Sequence, residues 1–121
     1  MSTEKEYIDV IEKIEADIGG FIAASLVDID SGMTLAVKSN RADFDLSAAS
    51  AFNSEMVKMK QNTIKALNLK SSLEDMLLTL SDQIHLIKVV SPTTFLYLAA
   101  DKSATNLALV RSTVNKHAAS I

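Results

Sequence analysis

Three apolar runs, residues 76–80, 84–90 and 95–100, are separated by Ser81-Asp82-Gln83 and Ser91-Pro92-Thr93-Thr94. Runs this short, rich in Val, Ile, Leu, Phe and Tyr and bounded by Ser, Asp and Pro, predict strands and not helices, here a three-strand meander. In residues 95–100 both alternate sets are apolar, which requires a packing layer above and below and puts the strand inside a sheet. Residues 76–80 are nearly as apolar but open the meander, so one edge of that strand lies at the boundary of the unit. An apolar edge needs cover. The simplest cover is a second copy of the same strand.

The remaining segments supply the layers. Thr3 followed by Glu6 is a capping-box pattern, and Tyr7, Ile11, Ile14 and Ile18 continue at helical spacing until Gly19-Gly20. Residues 21–29 are apolar on both alternate sets and read as a second interior strand. Asp30-Ser31-Gly32 turns the chain, and Met33, Leu35 and Val37 then alternate with Thr34, Ala36 and Lys38 as a less buried returning strand with a free edge. Asp45 is positioned to cap a long helix over residues 46–67, and Ser103 or Thr105 to cap a last helix through Leu107, Val110, Val114, Ala118 and Ile121. The order helix, two strands, helix, three strands, helix predicts an α+β domain spanning residues 1–121. Its five-stranded, mainly antiparallel sheet would have strand order 2-1-5-4-3 with helices on both faces.

The long helix carries an apolar arc wider than one sheet requires. Ala48, Ala49, Phe52, Met56, Val57, Met59, Ile64, Ala66 and Leu67 cover roughly half its circumference at about 100° per residue. The arc serves either ordinary burial or a second surface. Under the second reading Ala48, Phe52, Met56 and Met59 join Met76, Leu78 and Leu80 of the edge strand in a dimer interface. Ser50, Ser54, Lys58, Gln61 and Lys65 fall on the polar side, either as solvated surface or as a modestly positive platform for a partner.

Composition narrows the function. Hydrophobic residues at 48% and charged residues at 22%, with one Pro and three Gly, describe a globular domain with short connections. A net charge of −3 is too acidic for a general nucleic-acid binder. The absence of cysteine removes disulfides and thiolate chemistry, and no run approaches the length of a membrane span, so the expected location is the cytoplasm and no membrane contact is expected.

Together, Gly20 before an apolar strand, the turn Asp28-Ile29-Asp30-Ser31-Gly32, and the fifth strand running through Asp101 into Asn106-Leu107-Ala108-Leu109-Val110-Arg111 resemble the Roadblock family. That family comprises dynein light chains and bacterial and archaeal relatives that partner small Ras-like GTPases. The resemblance implies a homodimer in which the third strands pair into one ten-stranded sheet and the second helices lie side by side. In the bacterial gliding-polarity members such a dimer binds one GTPase through those helices and stimulates hydrolysis, while other members are adaptors. Many relatives have Gly where this chain has Ala108, and some GTPase-stimulating members carry a further C-terminal segment.

No catalytic, metal or cofactor site is expected. Asp28-x-Asp30-x-Gly32 opens like a calcium loop, but the position of the bidentate acid is Ser39, so it reads as a hairpin turn. Neither a GxGxxG nor a GxxxxGK[ST] pattern occurs, and neither His85 nor His117 has a companion at metal-ligand spacing. The reading is a non-enzymatic homodimeric scaffold or regulator of a small Ras-like GTPase. The alternatives are an adaptor for another protein, or a small-ligand sensor, against which the low aromatic content argues.

Overall fold

The computed structural model describes residues 3–121; residues 1 and 2, counted above in the single expected domain, lie outside the described residues. The elements are α1 (Glu4–Asp17), β1 (Phe21–Asp28), β2 (Thr34–Ser39), α2 (Leu46–Ala66), β3 (Asp75–Thr79), β4 (Gln83–Ser91), β5 (Thr94–Asp101) and α3 (Leu107–Ala118). The strands form one sheet in the order β2-β1-β5-β4-β3, as the burial patterns predict, and every neighbouring pair is antiparallel.

Each interior strand feeds two cores. On β5, Leu96, Leu98 and Ala100 point to a cluster with Ile11 and Ile14 of α1 and Val110 and Val114 of α3. Phe95, Tyr97 and Ala99 point to the opposite cluster, which contains Leu46 and Val57 of α2. Seven consecutive residues of β1, Phe21 to Val27, are buried, because α1 with α3 covers one face and α2 the other. The two-sided apolar pattern of β1 and β5 is therefore the reason for the three-layer arrangement.

The turns are built for close approach. Thr3 caps α1 with its Oγ1 accepting the Glu6 N–H at 3.2 Å, while Glu6 Oε1 accepts the Thr3 N–H at 3.3 Å. Gly20 then adopts φ 74°, and a Cβ there would meet the Ala104 Cβ at 2.8 Å, so the entry to β1 sits directly against the connection from β5 to α3. Gly32, at φ 75°, presses the β1–β2 turn against α2, where a Cβ on the glycine would come within 3.3 Å of the Ala51 Cα. The final helix begins one residue later than expected: Asn106, and not Ser103 or Thr105, is the cap, its Oδ1 accepting the Leu109 N–H at 2.9 Å.

Two faces differ from the sequence reading. In β2 it is the small Ala36 that is buried, whereas Leu35 and Val37 remain 37% and 48% exposed. α1 covers the Ala36 side, held by Lys38 Nζ at 3.3 and 3.2 Å from Glu12 and Glu15, while α2 lies mainly over β1 and covers the other side of β2 only in part. In α2, Ser50 and Ser54 are not on a solvated row but fully buried against the sheet. Ser50 Oγ lies 2.8 Å from Ser25 Oγ of β1, and the Ser54 hydroxyl donates to the Ile29 carbonyl. Small side chains let the helix approach closely, and each hydroxyl finds a partner at the contact, so burial costs little.

The Ser25–Ser50 pair gives a direct test. Ser50→Ala leaves the Ser25 hydroxyl buried without its partner and is expected to cost about 1–3 kcal/mol. In urea unfolding, Ser25→Ala/Ser50→Ala should recover most of that loss; an additive double variant would contradict the pairing.

Candidate functional site

β3 is the last strand of the sheet, and its described hydrogen-bonded neighbour is β4. Residues 75–78 are incompletely buried, so the outer edge is partly in water. Leu77 lies opposite Leu86 and joins the α1–α3 core; Met76 and Leu78 lie opposite Ile87 and His85 and pack in the α2 cluster with Ala49 and Met56. Leu80, expected within the strand, lies just past its end, 41% exposed, with its N–H donating to the Gln83 carbonyl at 2.9 Å.

The same side of α2 continues this apolar surface. Phe52, Met56 and Met59 follow one helical stripe, with Ala48 one turn before Phe52. Met56 and Ala48 are half-buried, but Phe52 and Met59 are 76% and 70% exposed. These large side chains are open to water on the flank of α2 whose Met56 packs with Met76 and Leu78 of the edge strand. The structure thus gathers Ala48, Phe52, Met56, Met59, Met76 and Leu78 on one side of the molecule, with Leu80 at its end.

The polar row does not stay together. Ser50 and Ser54 are inside and unavailable to a partner. Lys58 Nζ is 3.3 Å from the Asp30 carbonyl and 2.9 Å from Glu55 Oε1, which fixes it beside the β1–β2 turn. Gln61 and Lys65 line an open groove near the C-terminal end of α2.

Two features of the edge were not legible in the pattern of residues. Arg111 of α3 reaches 36 positions back along the chain to Asp75, with Nε 2.8 Å from Oδ2 and Nη2 3.2 Å from Oδ1. The Asp75 side chain is only 11% exposed, so this two-pronged pair anchors the start of β3 to α3. The Asn-Leu-x-Leu-x-Arg run contains the arginine but gives no sign of its partner.

The second feature is His85, the cross-strand neighbour of Leu78. Its Nε2 lies 2.8 Å from Gln83 Oε1 and its Nδ1 3.3 Å from the Tyr97 hydroxyl. Phe44 and Tyr97 meet its ring edge-on at centroid distances of 6.5 and 5.4 Å. Burial pushes the imidazole pKa below its ordinary value, opposed by the Asp82 carboxylate, and burial pushes the Tyr97 hydroxyl up to about 12. His117 Nε2 lies 2.7 Å from Asp17 Oδ2, a bond that holds the Asp17 carboxyl below its usual range and ties α3 to α1.

Asp28 serves the hairpin: its Oδ2 accepts from the Ser31 N–H at 3.0 Å and hydroxyl at 2.7 Å, which lowers its pKa. Among the described residues no three His, Asp or Glu side chains converge where a metal could be held. No described helix is long and apolar enough to cross a membrane.

Because the folded chain disfavours protonated His85, the unfolded chain binds more protons in the window between the lowered pKa and the ordinary value of about 6.5. The His85 contribution to stability is therefore intact above about pH 6.5 and is lost as pH falls through the folded pKa. In urea titrations across that window, His85→Gln should show a shallower loss of stability than the parent chain. Equal slopes would contradict the burial of a neutral imidazole.

No family model matches the chain, and no curated protein sequence matches it. Among solved structures, MglB of Myxococcus xanthus superposes with a TM-score of 0.84 at 15% identity, covering 98% of this chain and 86% of that one. The gliding protein MglB of Thermus thermophilus gives 0.81 at 16% identity over 96% of this chain and 85% of that one. A Roadblock/LC7 domain from Streptomyces avermitilis gives 0.80 at 13% identity over 92% and 90%. Strand order, helix placement and these superpositions agree: the chain has the Roadblock-family fold.

Proposed function

We propose that the protein is a non-enzymatic homodimeric scaffold or regulator that binds a small Ras-like GTPase. The observation that carries this reading is the incompletely buried apolar edge strand β3, continuous with the exposed Phe52 and Met59 of α2. Pairing β3 with the β3 of a second chain gives the edge a hydrogen-bonded neighbour and covers Met76 and Leu78. It also sets the two α2 helices beside each other, where Ala48 allows close approach and Phe52, Met56 and Met59 fill the seam. One solved structure of similar fold is MglB with a tetrameric arrangement.

The GTPase half of the proposal rests on the Roadblock resemblance together with the doubled outer surface that α2 pairing creates. Lys58, Gln61 and Lys65 are the members of the expected polar row that a partner reaches, since Ser50 and Ser54 face the sheet. A repeated lysine-bearing surface suits an acidic patch on the GTPase and would act mostly on association rate.

Leu78→Lys places like charges near each other across the proposed strand pair and is expected to give monomer or precipitate. A soluble dimer of unchanged affinity would count against strand pairing. Immobilised protein should retain a Ras-like GTPase in at least one of its GDP- and GTP-bound states, and Lys58→Glu should weaken retention about threefold to tenfold. Failure to retain any such GTPase in both states would remove that half of the proposal; single-turnover hydrolysis with and without the protein separates a scaffold from a stimulator.

A further inference from the structure

Between the last turns of α2, the connection into β3 and the β4–β5 turn lies an open groove of about 620 Å³. Ile64, Leu73, Val89 and Pro92 give it apolar walls, and Lys65, Lys88 and Ser71 line its polar margin. Leu67 and Leu69, on the stretch of chain joining Lys65 to Ser71, are 63% and 52% exposed.

The local charge is one-sided. From Glu55 to Glu74 the chain carries Lys58, Lys60, Lys65 and Lys70 and no intervening acid. Among the described residues Lys65 and Lys70 have no carboxylate within 4.0 Å. Glu74 also lines the groove, at the end where its carbonyl accepts the Val89 N–H at 3.0 Å and begins the β3–β4 ladder. Just before it, the backbone N–H groups of Lys70, Ser71, Ser72 and Leu73 have no hydrogen-bond partner among the described residues. Ser71, Ser72 and Leu73 line the trough with free backbone donors, alternate ones of which can face it, and Lys65 lines it with Lys70 next to Ser71 in the chain; these match the needs of a peptide chain: backbone acceptors, apolar side chains and carboxylates.

We propose that this groove binds an acidic segment of a protein partner, one in which glutamates or aspartates alternate with aliphatic residues. The aliphatic side chains enter between Ile64, Leu73, Val89 and Pro92, the carboxylates meet Lys65 and Lys70, and the backbone carbonyls take up the free donors of residues 71–73 that face the groove. A concave trough with a row of backbone donors suits a peptide better than a flat lipid surface. The site lies at the end of the sheet and shares Gln61 and Lys65 with the surface proposed for the GTPase, so it is tested with a peptide in the absence of any GTPase.

The test uses the full chain, labelled with ¹⁵N, and a blocked ten-residue peptide of alternating glutamate and valine. Addition of peptide should shift the amide signals of Ser71, Ser72, Leu73 and Val89. Lys65→Glu/Lys70→Glu, with far-UV circular dichroism unchanged, should weaken binding about tenfold or more, whereas Lys58→Glu, which does not line the groove, should leave it unaltered. The proposal is overturned if about 1 mM peptide moves none of these amides, or if a lysine–valine peptide binds as well. Binding to vesicles containing phosphatidylserine, without a response to the acidic peptide, would overturn it in favour of a lipid surface.

Discussion

The constraint on which the structure depends is the two-sided burial of β1 and β5. Laid side by side, they present apolar residues to both faces of the sheet, so neither face can be left to water. α1 and α3 close one side and α2 the other. The more ordinary strands are then displaced to the margins, β2 at one end and β3 at the other. The two margins are not equivalent. β2 is tethered to α1 through Lys38 and its carboxylates, whereas β3 is held at its start by Arg111 and Asp75 but keeps an apolar outer edge.

How α2 lies on the sheet determines what the rest of that helix shows. Contact through Ser50 and Ser54, with Gly32 pressed on Ala51, brings the helix close over β1. A helix that spends small polar side chains on its inner face has its bulky apolar ones turned to the flank. Phe52 and Met59 are consequently exposed above the β3 side of the sheet, where Met56 already packs with Met76 and Leu78. The same inversion that buries the serines thus creates the surface proposed for self-association.

Much of the fold was legible in the residues because strand faces are read by alternation, and alternation survives without knowledge of neighbours. The two-sided runs in β1 and β5, the capping box at Thr3, the cap at Asp45 and the order of the sheet all follow from local pattern. The surface was harder to read, for a physical reason. A serine on a helix is polar by composition, but when its hydroxyl meets Ser25 or the Ile29 carbonyl it behaves as a small core residue, and those partners lie 25 positions away. The Arg111–Asp75 pair and the enclosure of His85 by Phe44 and Tyr97 likewise join distant segments. The wide arc on α2 signalled an excess of apolar surface, but which part of it stayed outside depended on how closely the helix could dock.

The central claim is that the β3 margin does not end in water but is completed by another molecule of the same chain. Sedimentation velocity of the purified protein at micromolar concentration measures this most directly. The account predicts a single species of twice the 13.1 kDa chain mass. A homogeneous species at 13.1 kDa, unchanged as the concentration is raised, would contradict it.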